Sequence, residues 1–336
     1  MINHKIKLIR PGLFLPSFSP EKGSEERVIV QPTVLSICAA DQRYFNGSRP
    51  AHVLKAKLPM CLIHEAIGKV VHDPSGRLSA GQNVVLLPNG GLDSLEENYS
   101  SCSFFRSSTA DGFTQEFVGL EFGEILPFDS PTPKYYVFCE LISVCFQAIS
   151  QIPEEDWVNI KTVGIWGDGP VGYLLSLCLK KEFPFLKIIV FGKHEEKLIL
   201  FSHVEETRVI REPHLNPSYI DIAFEAVGGE KVEDALDQIF QKVRPRGFVC
   251  LTGVSESPIP VRTRTILEKG LTLRGTTRSL KRDFLRAKAL LDGLEDYSIL
   301  DKIISNEFRI SSSDELTQAF YQDQKSPFKT LLIWDI

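Results

Sequence analysis

Residues 162–172 read TVGIWGDGPVG, in which an apolar run leads directly into a glycine-rich turn. The pattern predicts a buried strand, a tight turn and the start of a helix. Gly167 permits the turn, Gly169 lets the backbone approach a pyrophosphate, and Gly172 lets helix and strand pack closely. Free N–H groups at the start of such a helix favour an anion. The context of strand and helix favours a dinucleotide-binding turn over a glycine-rich turn without a ligand. The residues assigned to it are Gly167, Asp168, Gly169, Pro170, Val171 and Gly172.

From Lys161 onwards, apolar strands alternate with amphipathic helices. A helix is expected from Pro170 to about Phe183, followed by the strand KIIVFG and a charged helix from His194. The strand DIAFEAVG, a helix from Glu230 and the strand GFVCLTGV come next. Strand–helix alternation at this spacing predicts an α/β fold with a doubly wound parallel sheet, covered by helices on both faces.

The regions outside this sheet have a different pattern. Short β-branched or apolar runs at 27–35, 67–71 and 83–87 predict a compact β-rich module. Helical periodicity returns at 281–292 and 313–321, and TLLIW near the end predicts a closing strand. We therefore expect a dinucleotide-binding domain over 149–278, and a second domain formed by 1–148 together with 279–336.

Composition excludes several classes of protein. The chain has 336 residues, 43% of them hydrophobic and 24% charged, as in ordinary globular proteins. A net charge of −5 gives no basic surplus for nucleic acid or an acidic membrane. No apolar run approaches the ~20 residues of a membrane helix. The seven cysteines form no CxxC pair and the N-terminus lacks an apolar signal stretch, so we expect a reduced, cytoplasmic protein.

The end of the second predicted strand of the sheet bears on the choice of cofactor. An NAD site places Asp or Glu about 20 residues after the glycines, to bind the ribose hydroxyls. Here Gly192 stands at that position and Lys193 follows it. Loss of the carboxylate removes repulsion of a ribose phosphate and the lysine adds attraction, which favours NADPH over NADH. The alternatives are a solvated Lys193, or partial replacement of the acid by Glu195 or Glu196.

A set of metal-donor residues is spread along the first half of the chain. Cys38 and Asp41 lie in SICAADQRYFNG, His64 and Glu65 are adjacent, and Glu140 follows in an apolar stretch. Each has an ordinary structural explanation, such as a core cysteine or a satisfied histidine. Together a thiolate, an imidazole and carboxylates are the donors of a catalytic zinc ion with an open position.

The order of these motifs resembles the zinc-containing medium-chain alcohol and polyol dehydrogenases over nearly the whole length. The resemblance implies a GroES-like β-rich catalytic domain, built from both ends of the chain, around a Rossmann domain. It implies that Cys38, His64, Glu65 and Glu140 hold the metal, the two glutamates directly or through water, and that Asp41 orients His64. The residues expected to be catalytic are Cys38, Asp41, His64, Glu65 and Glu140.

Longer stretches, among them LPMCLIHEAIGKVV and GIWGDGPVGY, resemble the ribulose-5-phosphate reductases of ribitol-phosphate (teichoic acid) synthesis. The resemblance implies NADPH-dependent reduction of ribulose 5-phosphate to ribitol 5-phosphate, for activation to CDP-ribitol by a cytidylyltransferase. The rival hypotheses are a catabolic NAD(P)-dependent polyol dehydrogenase, a zinc-free quinone-reductase-like relative and a catalytically silent nucleotide-binding protein. Apolar segments after Glu140 and near 251–275 suggest a homodimer surface.

Three departures from the wider family affect these expectations. Residues 89–110 contain only Cys102, so we expect one catalytic zinc and no structural zinc. Ile63 replaces the usual glycine before His-Glu, so we expect the backbone there to avoid a glycine-only conformation. Ala40 replaces the hydroxyl residue that relays protons in many relatives, which leaves Tyr44, Glu65 or water at the metal as alternative proton donors.

A phosphorylated substrate requires cations. Arg43, Arg106 and Arg278 are expected to bind the phosphate, with Arg106 favoured because serines follow it. The other available cations are Arg49, Lys55 and Lys57. Most such residues lie at the surface without a binding role.

Overall fold

The computed structural model describes residues 2–20, 27–91, 98–100, 103–210 and 220–336. It divides into two compact units, one formed by residues 1–140 with 279–336 and the other by 141–278. The sequence-based boundary at 148/149 lies at the end of helix α3 (Cys139–Ile149), whereas the observed division lies near its start. No helix in the described part of the chain is long and apolar enough to cross a membrane.

The N-terminal part of the first unit consists of short strands and helices. Its strands are β1 (Ile2–Arg10), β2 (Leu13–Pro20), β3 (Val28–Ser36), β4 (Met60–Cys61), β5 (Glu65–His72), β6 (Asn83–Leu86), β7 (Asn89–Gly90), β8 (Phe104–Phe105), β9 (Val118–Leu120) and β10 (Ile125–Pro127). Its helices are α1 (Ala39–Phe45) and α2 (Ala51–Lys57), followed by α3. The three strands expected at 27–35, 67–71 and 83–87 correspond to β3, β5 and β6. The hairpin of β1 and β2 was not expected from the sequence.

The second unit contains the predicted parallel sheet. Its elements are β11 (Thr162–Trp166), α4 (Pro170–Glu182), β12 (Lys187–Gly192), α5 (Glu195–Leu198), β13 (Glu206–Val209), β14 (Ile220–Glu225), α6 (Val232–Lys242), β15 (Val243–Leu251), α7 (Thr263–Lys269) and β16 (Thr272–Gly275). The strand order is β13-β12-β11-β14-β15-β16, and every neighbouring pair is parallel. This is the doubly wound order of dinucleotide-binding sheets, and it confirms the expected fold class.

The chain then returns to the first unit. The last elements are α8 (Lys281–Asp292), α9 (Ser298–Asp301), β17 (Ile304–Ile310), α10 (Ser313–Asp323) and β18 (Lys329–Trp334). Strand β18 pairs antiparallel with β3, so both ends of the chain contribute to one sheet in the order β10-β6-β5-β3-β18-β17, with β9 also on β3. The pairing brings the C-terminal strand beside the strand that leads to Cys38.

Aromatic packing holds helix α1 against the first unit's core. The Phe45 ring lies 5.6 Å from the Phe14 ring and 4.9 Å from the Phe320 ring, measured between centroids. All three side chains are almost completely buried. Burial of each such side chain contributes about 1.5–3 kcal/mol, so this cluster stabilises the helix that Cys38 precedes.

Candidate active site

Cys38 stands at the junction of β3 and α1. It is the residue before the first helical turn, and its N–H donates to the Asp41 Oδ2 atom at 3.2 Å. An acidic residue in the first turn of a helix satisfies an N–H group that the helix itself leaves without a partner. The same carboxylate thus fixes the backbone that carries the thiol.

Ile63 corrects one expectation from the sequence. Its φ is +68°, in the left-handed region that favours glycine, although it is β-branched and fully buried. Its N–H donates to Asp41 Oδ1 at 3.1 Å, and its carbonyl accepts from the Phe113 N–H at 2.8 Å. These two hydrogen bonds hold the strained backbone. Ile63 therefore adopts the left-handed conformation that a glycine would adopt at this position.

Asp41 also lies against the His64 imidazole. Its Oδ1 atom is 3.4 Å from His64 Nδ1 and accepts a hydrogen bond from the Ser107 hydroxyl. Burial raises the pKa of Asp41, but the neighbouring His64 and the hydrogen bonds outweigh burial and leave its pKa below the usual range. Burial lowers the pKa of His64, but Asp41 and Cys38 raise it well above its ordinary value. A carboxylate on Nδ1 leaves the other ring nitrogen available to bind a metal.

Glu65 is held by a buried lysine from the other end of the chain. Lys329 Nζ lies 2.8 Å from Glu65 Oε1 and donates to the Ile37 carbonyl at 2.6 Å. Burial lowers the pKa of Lys329, but Glu65 and Cys38 outweigh burial and raise it. The second carboxylate oxygen, Oε2, is buried without a hydrogen-bond partner. A buried acceptor without a partner carries a desolvation cost that a cation would remove.

Cys38, His64 and Glu65 are brought together by this packing. One donor atom from each lies within 4.8 Å of those of the other two. Cysteine sulfur, histidine nitrogen and carboxylate oxygen at such distances suit tetrahedral zinc. The unpartnered Oε2 of Glu65 supports the same assignment, so the residues present fit a zinc ion. Within the described ranges this is the only cluster of three or more such donors.

Glu140 lies near this group but outside it. It belongs to the first turn of α3 and its residue is 5% exposed. Burial raises the pKa of Glu140 to about 7; His64 opposes the shift and Glu65 adds to it. Glu140 is therefore close enough to interact electrostatically with both, although it is not among the three donors described above. Its role as a further metal ligand stays a prediction, as does the absence of a structural zinc, because Cys102 lies outside the described residues.

The glycine-rich turn of the second unit has the geometry that its sequence suggests. Gly167 has a φ of +139°, and a Cβ there would lie 2.6 Å from the Ala226 carbonyl oxygen. A Cβ on Gly172 would lie 2.0 Å from the Gly167 carbonyl oxygen. Gly169, which precedes α4, has open space where a Cβ would stand. The turn can accept a pyrophosphate at the start of α4.

Asp168 organises the loop at the end of β12. Its Oδ2 atom accepts from the N–H groups of Lys193 and His194, at 2.7 and 2.8 Å. A Cβ on Gly192 would lie 2.6 Å from the Asp168 Cβ. Position 192 therefore has no room for the acidic side chain of an NAD site, while Lys193 is exposed at the loop.

The predicted phosphate-binding residues occupy different surroundings. Arg106 is largely buried and lies 3.4 Å from Glu124, and its guanidinium is over the Phe104 and Phe113 rings. Arg43 is half-buried on α1. Arg278 is the last residue of the second unit and has a φ of +55°. Arg43 and Arg106 belong to the first unit and Arg278 to the second.

Two residues of the site were missed by the sequence analysis. Lys329 begins an apolar strand, where a lysine is unusual, but only the pairing of β18 with β3 places it beside Glu65. Ser107 contacts Asp41 from a residue with a φ of +62°. The lysine at the start of an apolar run is the one sequence signal for Lys329, and Ser107 has no signal that distinguishes it from an ordinary surface residue.

Comparison with known proteins agrees with this geometry. Residues 24–130 match the alcohol dehydrogenase GroES-like domain. The chain is 39% identical to a ribulose-5-phosphate reductase of Bacillus spizizenii, with all of both chains covered. It is 41% identical to ribulose-5-phosphate reductase 1 of Staphylococcus aureus, with 99% of both covered. The chain belongs to the ribulose-5-phosphate reductase family.

A solved structure of this family shows the same fold. The crystal structure of S. aureus TarJ in complex with NADPH superimposes with a TM-score of 0.87 at 36% identity, and all of both chains is covered. The sequence-based resemblance to zinc-type medium-chain dehydrogenases, and to the ribulose-5-phosphate reductases among them, is thereby confirmed.

Proposed function

We propose that this chain reduces D-ribulose 5-phosphate to D-ribitol 5-phosphate with NADPH. The observation that carries the proposal is the full-length similarity to ribulose-5-phosphate reductases at 39–41% identity, combined with a zinc donor set gathered at one place. In the reaction the C2 ketone gains a hydride on carbon and a proton on oxygen, and NADPH becomes NADP⁺.

The metal would be held by Cys38, His64 and Glu65, with Glu140 as a further carboxylate ligand, directly or through water. When bound, zinc acts as a Lewis acid towards the substrate carbonyl. Asp41 keeps the His64 ring in one orientation, and Lys329 holds one oxygen of Glu65. These contacts fix the ligands before the ion binds, which lowers the cost of assembling the site.

The proton for the product oxygen must come from a group other than residue 40, which is alanine. Tyr44 on α1 and Glu65 are the two side chains proposed for this step. Lys329 Nζ lies 2.8 Å from Glu65 Oε1 and holds that oxygen in place. A Tyr44→Phe variant separates the two, because it removes the phenol and leaves Glu65 intact.

The cofactor would bind with its pyrophosphate at residues 167–172 and its ribose phosphate near Gly192 and Lys193. NADPH supplies the hydride. The missing acid at Gly192, the exposed Lys193 and the NADPH complex of the related TarJ protein support NADPH over NADH.

The product has a phosphate ester and a reduced polyol chain. We propose that a cytidylyltransferase consumes it to form CDP-ribitol for ribitol-phosphate polymers of the cell wall. The same proposal places the enzyme in the cytoplasm as a homodimer. The sequence alone predicts Arg43, Arg106 and Arg278 as ligands of the substrate phosphate, and Arg106 is already paired with Glu124.

The decisive assay follows NADPH oxidation with D-ribulose 5-phosphate, D-xylulose 5-phosphate and unphosphorylated D-ribulose. We expect the highest kcat/KM with D-ribulose 5-phosphate and with NADPH rather than NADH. Faster polyol oxidation with NAD⁺ would favour the catabolic dehydrogenase. Stoichiometric zinc without turnover of any ketose phosphate would favour a silent nucleotide-binding protein.

A further inference from the structure

Two cations converge on the ring of Tyr44 in the first unit. The Arg49 guanidinium carbon lies 4.9 Å from the ring centroid, and the Lys57 Nζ atom lies 5.9 Å from it. Lys57 Nζ is also 3.0 Å from the Ser108 hydroxyl oxygen. We call Tyr44, Arg49, Lys57 and Ser108 the Tyr44 cluster.

Local backbone structure holds each member of the cluster. Tyr44 is almost fully buried on α1, and Lys57 is the last residue of α2. The Arg49 N–H donates to the Arg43 carbonyl at 3.3 Å, and the Ser108 N–H donates to the Phe105 carbonyl at 3.2 Å. Arg49, Lys57 and Ser108 are half-buried, so they are fixed in place yet accessible to a small anion.

The cluster is continuous with the metal-donor residues. Tyr44 lies on α1, the helix that Cys38 immediately precedes. Ser108 follows Ser107, whose hydroxyl contacts Asp41, and the nearby Phe105 ring lies 5.1 Å from the His64 ring. The carbonyl carbon and the phosphorus of ribulose 5-phosphate are five bonds apart, about 6 Å when extended. A substrate of this length needs its phosphate subsite beside the metal donors, and the contacts from His64 to Asp41 and from Asp41 to Ser107 bring Ser108 near them.

The charges of the cluster also suit a phosphate. Among the described residues, no carboxylate lies within ion-pair distance of Lys57, whereas Arg106 faces Glu124 at 3.4 Å. A phosphate monoester carries about 1.5 to 2 negative charges and three acceptor oxygens. The planar guanidinium, the ammonium and the serine hydroxyl offer donors of matching number and sign.

We propose that Arg49, Lys57 and Ser108 form the subsite for the substrate's phosphate group, with the Tyr44 ring as its apolar support. The inference rests on the proposed function, and it assigns the phosphate to this cluster rather than to the Glu124-paired Arg106. Such a subsite separates phosphorylated from unphosphorylated ketoses.

The test compares Lys57→Met and Arg49→Met with the matched control Lys55→Met. Lys55 is an exposed lysine on the same helix. Steady-state kinetics with D-ribulose 5-phosphate, D-ribulose and NADPH is combined with calorimetric titration of inorganic phosphate into the zinc-loaded protein. Thermal unfolding of every variant checks that the fold is retained.

We expect Lys57→Met and Arg49→Met each to raise KM for D-ribulose 5-phosphate roughly tenfold to a hundredfold, as loss of a hydrogen bond to a charged group does. In these two variants, KM for NADPH and kcat/KM for D-ribulose should stay within twofold of the wild-type values, and the affinity for inorganic phosphate should fall. The control Lys55→Met should have the kinetic constants and phosphate affinity of the wild type. Equal KM values for Lys57→Met and Lys55→Met in an active enzyme would overturn the subsite and leave the proposed function standing.

The two proposals can fail separately. A wild-type protein that binds inorganic phosphate through Lys57 but does not reduce D-ribulose 5-phosphate would refute the proposed function and support the anion subsite. Phosphate binding that is unchanged in Lys57→Met and Arg49→Met would refute the subsite whatever the turnover.

Discussion

At the scale of single residues, Ile63 shows how tertiary contacts determine a backbone conformation that the side chain disfavours. Left-handed backbone costs an ordinary residue about 1–2 kcal/mol relative to glycine. Its N–H donates to the Asp41 carboxylate and its carbonyl accepts from the Phe113 N–H, which holds the residue there, immediately before His64. The strain is therefore located next to a metal-donor side chain.

At position 63, a glycine variant should be more stable than an alanine variant, which is the reverse of the usual order of stability. Both Ile63→Ala and Ile63→Gly should lower the free energy of unfolding, because each removes a fully buried side chain worth about 2–5 kcal/mol. Since glycine accepts the φ of +68°, Ile63→Gly should be more stable than Ile63→Ala by about 1 kcal/mol. Urea unfolding of the metal-depleted proteins measures the difference. Greater stability of the alanine variant would show that the backbone is not strained.

The buried pair of Lys329 and Glu65 makes a second prediction at this scale. Removal of one partner of a buried ion pair leaves an uncompensated charge and costs about 3–5 kcal/mol. Lys329→Met should therefore lower the free energy of unfolding of the metal-depleted protein by this amount. The double variant Lys329→Met/Glu65→Gln should recover part of the loss, because it also removes the negative charge. Urea unfolding of the two variants checks this, and equal losses would contradict a charge-based cause.

At the scale of elements, the sequence predicted those parts whose signals are local. The apolar runs and glycines of β11, the following turn and α4 determine their own conformation, and the parallel sheet follows from their repetition. The β1–β2 hairpin was not predicted from the sequence. The prediction for Ile63 was wrong because its φ depends on hydrogen bonds with Asp41 and Phe113, which are distant in the sequence. Lys329 could not be assigned because only long-range strand pairing brings it to Glu65.

The contacts of the loop after β12 lead to a prediction about cofactor binding. Asp168→Ala removes the acceptor for the N–H groups of Lys193 and His194, so the loop should lose its fixed conformation. Because the carboxylate is partly exposed, we expect a moderate effect, about a tenfold rise in KM for NADPH. Asp73→Ala is the matched control, since Asp73 accepts from two N–H groups in an exposed turn of the first unit. An equal KM for NADPH in Asp168→Ala and Asp73→Ala would contradict the claim that Asp168 fixes the loop that binds the cofactor.

The lowered pKa of the Asp168 carboxylate leads us to expect that the stability of the protein depends on pH. Burial raises the pKa of Asp168, but hydrogen bonds from His194 and Lys193 outweigh burial and lower it. A depressed pKa contributes stability that is present above the unfolded value, about 3.9, and is lost as pH falls through the folded value. The stability difference between wild type and Asp168→Ala should therefore shrink below about pH 4. Urea unfolding of both proteins at several pH values tests this, and a difference that grows on acidification would refute it.

At the scale of the whole molecule, the candidate metal residues and the glycine-rich turn belong to different units of the chain. Cys38, His64 and Glu65 lie in the first unit, and residues 167–172 lie in the second. Removal of zinc should therefore leave the affinity for NADPH within about threefold, since each unit has its own core. Fluorescence titration of NADPH into the chelated and the zinc-loaded protein measures this. Complete loss of NADPH binding on chelation would contradict independent sites.

The account depends most on the claim that the donors Cys38, His64 and Glu65 hold a zinc ion required for reduction. The direct test is NADPH oxidation with D-ribulose 5-phosphate by the protein before chelation, after complete chelation and after zinc is restored, with zinc per chain measured each time. We predict turnover that disappears with the metal and returns in proportion to zinc, up to one ion per chain. Undiminished turnover by protein shown to contain no metal would contradict the claim.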